Sequence, residues 1–163
     1  MKKSELSKPF LIGLLIQKME EECHIISASV ANAIDGATNP ESKPEGKYDT
    51  RALEASYLAG AQQERLRELK ASINFIKMQR VQDLSPNSII AAPALVELKN
   101  SDGETRHLLL VVAGGGVTID KGAMKVHVVT PGSPMGSAIN GRKQGDFVMW
   151  GPSQAEWEIR SCC

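Results

Sequence analysis

Aromatic side chains make up 4% of the 163 residues, cysteines number 3, histidines number 3, and 19 Lys and Arg cancel 19 Asp and Glu. Each scarcity excludes something. A formal net charge of zero argues against a protein that holds nucleic acid through bulk positive charge. Three cysteines, with Cys23 in an apolar-periodic segment and Cys162 beside Cys163 at the C-terminal end, make no disulfide framework. Cys23 is expected as a small core residue, and the Cys162–Cys163 pair as an exposed tail. His24, His107 and His127 stand far apart and share no metal-ligand spacing with a cysteine or carboxylate, which leaves zinc without support. No apolar run approaches the roughly 20 residues that cross a bilayer. The longest near the N-terminus, Phe10 to Ile16, has no small-residue cleavage site behind it, so a secretory leader is not expected. A cytoplasmic protein without a membrane partner is the expectation.

What the chain does have is a normal apolar fraction of 42%, enough for a folded core. Its periodicity changes part-way along. Ile12, Ile16, Met19, Cys23, Ile26, Val30 and Ala33 follow alternating steps of four and three, the seam of a coiled coil. Ser7 is placed to cap that helix, with Pro9 in its first turn where a missing N–H costs nothing. A second seam runs through Ala52, Ala55, Ala59, Gln62, Leu66, Leu69, Ile73 and Ile76, small at first and larger later. The polar, Pro- and Gly-containing stretch Asp35 to Asp49 separates them and permits a reversal. An antiparallel helical hairpin over residues 1–83 follows, with arms of roughly 45 Å at 1.5 Å per residue.

Residues 84–163 show short apolar runs between turn signals. Ser88 to Leu98, His107 to Ala113, Met124 to Thr130, Asp146 to Trp150 and Ala155 to Ile159 are predicted as strands. Asn100 to Gly103 and Gly114 to Gly116 are predicted as turns, the triple glycine as a hairpin turn. No Gly-Lys-Ser/Thr follows those glycines, so a phosphate loop is not supported. Ser133-Pro134 opens a short helix over Met135 to Asn140. The fold class expected is α+β: a long helical hairpin followed by a small, mostly antiparallel β domain with one short helix.

The stretch Val128 to Val148, VVTPGSPMGSAINGRKQGDFV, resembles the C-terminal domain of the bacterial Gre transcript-cleavage factors. Ser133, Pro134, Gly136, Ala138, Gly141, Arg142, Gly145 and Asp146 carry the likeness in the family's order. Lys47 to Gln62 is similar to the start of the second helix in a Gre-like subgroup. With the hairpin, the resemblance spans nearly the whole chain. It implies an FKBP-like β domain and a factor that binds the secondary channel of bacterial RNA polymerase. Nucleic acid, DNA included, would be contacted only through the polymerase complex, and the factor would be a monomer.

The resemblance further implies that Ser133, Pro134 and Met135 contact the polymerase, and that acids at the hairpin end help hold a Mg²⁺ shared with the polymerase active site. Asp49 and Glu45 are the expected metal ligands, with Glu54 in reserve as a third site acid. The factor would not be an enzyme itself. It would rescue backtracked complexes by stimulating the polymerase's own two-metal RNA cleavage. The sequence departs from the family pattern at two places: Leu53 stands where the second tip acid would fall, and Gly132 where an acidic or amide residue often precedes Ser-Pro. These departures keep a second reading open, a DksA-like or Gre-fold regulator that occupies the channel without cleavage. A third, a prolyl isomerase, needs an aromatic-lined pocket, and this half offers only Phe147, Trp150 and Trp157.

Overall fold

The computed structural model describes residues 7–38, 51–82, 84–85, 87–122, 124–150 and 155–163. Helix α1 spans Lys8–Thr38 and α2 spans Arg51–Met78. They are followed by strands β1 (Ala94–Asn100), β2 (Thr105–Leu110), β3 (Thr118–Lys121) and β4 (Met124–Val129), helix α3 (Pro134–Ile139), and strands β5 (Phe147–Trp150) and β6 (Ala155–Cys162). The expected α+β layout is therefore the observed one. Packing divides the chain into two compact units, Met1–Gln17 with Asn74–Cys163, and Lys18–Ile73. The sequence-based division at residues 83 and 84 follows secondary structure, whereas these units follow contacts.

Among the described residues, the second unit consists of the two long helices. Arg65 reaches across to Glu22 at 2.5 Å, which sets the arms side by side. Met19, Cys23 and Val30 of the first seam are buried, while Ile26 and Ala33 are half-buried. On α2, Ala55, Ala59, Gln62, Leu66 and Leu69 are half-buried and Ile73 is buried. Two helices with no third to cover them can do no better, because each seam residue keeps one flank in water. Burial pushes the Cys23 thiol above its ordinary value of 9.0; Lys70 opposes the shift, and Glu22 and Glu20 add to it.

The first unit holds the bases of both helices and the sheet. Leu11 N donates to the Ser7 carbonyl at 3.1 Å, which puts Ser7 at the cap position of α1. Lys8 is 2% exposed, and its ammonium donates to the carbonyls of Gln82 and Pro93. The six strands run in the order β3-β4-β2-β1-β6-β5. All neighbours are antiparallel except β2 and β4, which are parallel in the register His107 to Val126. One face carries Val96, Leu98, Leu108, Leu110, Val129, Trp157 and Ile159, covered by Ile139 of α3. On the other face Leu95, Leu109, Ile119, Val126 and Val128 are buried as well, and Lys121 of β3 lies 4.5 Å from the Phe10 ring of α1. Burial on both faces explains why Leu108 to Val111 reads as a continuous apolar run instead of alternating.

Three expectations need correction. Gly114 to Gly116 does not join two hairpin partners, because β2 and β4 run parallel and therefore need a crossover. The glycines adopt φ of 77° and 90° at positions 114 and 116 and lead the chain out to β3 at the sheet edge, a strand the sequence pattern did not show. β1 starts at Ala94 instead of Ser88; Ile89 is exposed, and Pro93 has no N–H for a ladder. Cys162 and Cys163 are not a loose tail. β6 runs through Cys162, which is buried, and Cys163 exchanges two backbone bonds with Leu95, each 3.0 Å.

Candidate functional site

Two places bear on function: the end of the hairpin and the segment around α3. At the hairpin end, Asp49, Glu45 and Glu41 lie outside the described residues. Glu54 is described; it sits exposed in the first turn of α2, where the helix dipole favours a carboxylate. Leu53, Tyr57 and Leu58 beside it are 55%, 71% and 58% exposed, an unusual load of large apolar side chains for one end of a solvated helix. Among the described residues no three His, Cys, Asp or Glu side chains come together as a metal site. Glu54 alone does not hold a cation.

Around α3 the motif residues are tightly used. Ser133 caps the helix: its Oγ accepts from Gly136 N at 3.1 Å and donates to the Thr130 carbonyl at 2.8 Å. Pro134 occupies the first helical turn, where its ring fits without loss of a bond. Gly136 is buried with its Cα against Thr130. Gly141, at φ 83°, donates to Ile90, and Ile90 donates back to Arg142, both at 2.8 Å. Asp146 accepts from Lys143 N at 2.9 Å and closes the turn into β5. Ser133, Gly136, Gly141 and Asp146 therefore build the segment, and Pro134 is among the residues that it displays to solvent.

Met135 is half-buried and packs against the main core cluster. Beside it opens an apolar cavity of about 310 Å³, walled by Val117, Thr118, His127, Val129, Pro134 and Met135. His127 Nδ1 and Thr118 Oγ1, 3.4 Å apart, are its polar pair. The structure thus brings Ser133, Pro134 and Met135 together at one groove and adds a wall from β3 and β4. Sequence reasoning missed that wall because β3 left no periodic signal. A second cleft, between the starts of β2 and β4, is lined by Glu104, Arg106, His107, Lys125 and His127. There Arg106 is already engaged, 2.9 Å from Glu104 and 4.7 Å from the Trp157 ring, which stacks on Trp150 at 5.1 Å.

No family model matches the chain, and no curated protein does. Among the similar solved structures are Gre-type transcription factors. GreA factor homolog 1 of Thermus thermophilus is 15% identical, with 91% of this chain and 94% of that one covered and a TM-score of 0.38. The corresponding protein of Thermus aquaticus is 15% identical over 90% and 92%, with a TM-score of 0.39. The elongation factor GreA/GreB of Nitrosomonas europaea is 20% identical over 71% of this chain and 94% of that one, with a TM-score of 0.35. Likeness at this level carries no argument, and the functional reading rests on this chain's own residues.

Proposed function

We propose that the protein is a transcription factor that acts on RNA polymerase, with the helical hairpin as a probe for the secondary channel and the groove at α3 as a docking surface. The observation that supports this most is the hairpin itself. Two helices of 31 and 28 residues run through the chain's first half, and their greater part, within Lys18–Ile73, belongs to a unit of its own. At 1.5 Å per residue the arms extend roughly 45 Å, long enough to enter a deep pore. Such an arm leaves its seam half-wet when free, and enclosure by a channel would remove that cost.

In this reading Pro134 and the apolar groove beside it bind the polymerase surface, and Ser133 and Met135 hold that surface in shape. Asp49 and Glu45, with Glu54 nearby, are the acids offered at the polymerase active site. A Mg²⁺ there would be held jointly with the polymerase, and it supplies charge stabilisation to a phosphodiester when bound. The protein's own part is to deliver carboxylates to that place and to withdraw them. The factor would then rescue backtracked complexes by stimulating the polymerase's transcript cleavage. One observation favours the non-cleaving alternative: Leu53, 55% exposed, presents an apolar side chain where a second tip acid would serve cleavage.

Adding the protein to stalled, backtracked elongation complexes decides between the two. Release of 3′-end RNA fragments, lost in Asp49→Ala with polymerase binding retained, is the result expected for cleavage. Competition with a known Gre factor for polymerase, with no fragments at any Mg²⁺ concentration, would establish the regulator instead. Absence of polymerase binding would overturn both.

A further inference from the structure

The two edges of the sheet are treated differently. At one edge β3 carries Asp120 and Lys121, its Ile119 is 1% exposed, and Lys121 is drawn onto Phe10. Charges and cover of that kind are how an edge strand is kept from pairing with another chain. At the other edge β5 reads Phe147-Val148-Met149-Trp150, with no charge in the strand. Val148 is 4% exposed and faces the core, while Phe147 and Met149 point away from it at 58% and 59% exposure. Among the described residues β5 pairs only with β6, and no other backbone hydrogen bond reaches Phe147 to Trp150. The strand thus offers a free row of backbone donors and acceptors beside two large apolar side chains.

We propose that this edge pairs with the β5 edge of a second copy of the chain, joining two sheets into one through an antiparallel β5–β5 contact. The strand is self-complementary for that purpose. Centred on Val148, the pairing sets Phe147 of each copy opposite Met149 of the other. Two aromatic–thioether pairs form in that way, a favourable kind of cross-strand neighbour. Asp146 then falls opposite Trp150 of the second copy, so no like charges meet. Glu156 and Glu158 lie one strand further in, and Glu158 is held by Arg160 at 2.9 Å. With 19 charges of each sign, two copies approach without net repulsion. Four residues on each side make a small contact, so the dimer is weak and forms only in concentrated protein. This departs from the monomer expected on the sequence, and it does not depend on the polymerase reading.

Sedimentation velocity of the full chain from about 10 µM to about 1 mM tests the pairing by mass action. Wild type should shift toward a dimer with concentration, and so should Asp102→Lys, a control at an exposed turn. Phe147→Lys with Met149→Lys should raise the dissociation constant at least about tenfold, with the melting temperature unchanged. Amide exchange of wild type supplies a reading that needs no variant: Phe147 to Trp150 should exchange more slowly in the concentrated sample. A wild type that stays monomeric throughout overturns the proposal. So does a dimer that survives the double substitution in a folded protein, or β5 exchange that ignores concentration.

Discussion

A side chain begun at Gly136 would lie 1.9 Å from the carbonyl oxygen of Thr130. No backbone adjustment of a few tenths of an ångström relieves that approach, so the position admits glycine alone. Gly136→Ala must push α3, which Ser133 caps, off Thr130 just past the end of β4. Overpacking of this kind costs about 1–3 kcal/mol. A lowered melting temperature with loss of the groove beside Met135 is expected, and an unchanged melting temperature would show that α3 is free to shift.

Docking is best tested at Pro134 and His127 rather than at Met135. Met135 packs partly on the core, so a charge placed there would unsettle the fold along with the surface. Pro134 is exposed at the start of α3, where a glutamate is tolerated by the helix dipole. Pro134→Glu combined with His127→Ala should weaken polymerase binding about tenfold or more while the melting temperature holds. Titrations against polymerase that superimpose on wild type would remove the groove from the interface.

The hairpin should be graded in stability along its length. Ile76 is 2% exposed at the base, whereas Leu69 and Ile26 are half-buried. Ile76→Ala should cost about 2–5 kcal/mol, and Leu69→Ala or Ile26→Ala distinctly less, because part of each side chain is already in water. Denaturant unfolding of the three variants checks the order.

Thiol chemistry reports the same packing. Cys163 is exposed, whereas Cys23 and Cys162 are buried. One equivalent of an alkylating reagent should modify Cys163 first, and the other two should react only as the fold opens. Because burial raises the Cys23 thiol above 9.0, the folded state favours its neutral form. That contribution is complete below the ordinary thiol value and is lost as pH rises through the raised one. Cys23→Ala should flatten the alkaline end of the stability profile, measured as melting temperature against pH.

Much of this architecture was legible in the residues, and its gaps have physical causes. The heptad steps from Ile12 to Ala33 and from Ala55 to Ile76 located both helices, since a two-helix contact leaves a periodic imprint. Leu11 and Leu15, both fully buried, escaped that pattern because they lie off the steps of the seam. Ser133, Gly136 and Gly141 marked α3 and its turns through capping and backbone freedom, which act locally. β3 was invisible because four residues with a single buried apolar side chain carry no period. The groove wall at Thr118 and His127 comes from the antiparallel pairing of β3 with β4, which sets the two residues opposite each other and which no local signal encodes. Asp49 and Glu45 rest on the sequence pattern, outside the described residues.

The central claim is that the hairpin end enters the polymerase, and photo-crosslinking tests it most directly. A photoreactive residue in place of Tyr57, which is 71% exposed near the start of α2, should label the polymerase channel or the RNA 3′ end in backtracked complexes. The same group at Asp102, an exposed turn of the sheet, should label neither the channel interior nor the RNA. Labelling from Tyr57 that an unlabelled Gre factor displaces is the predicted result. Failure of Tyr57 to label polymerase or RNA, in complexes that the protein demonstrably binds, would contradict it.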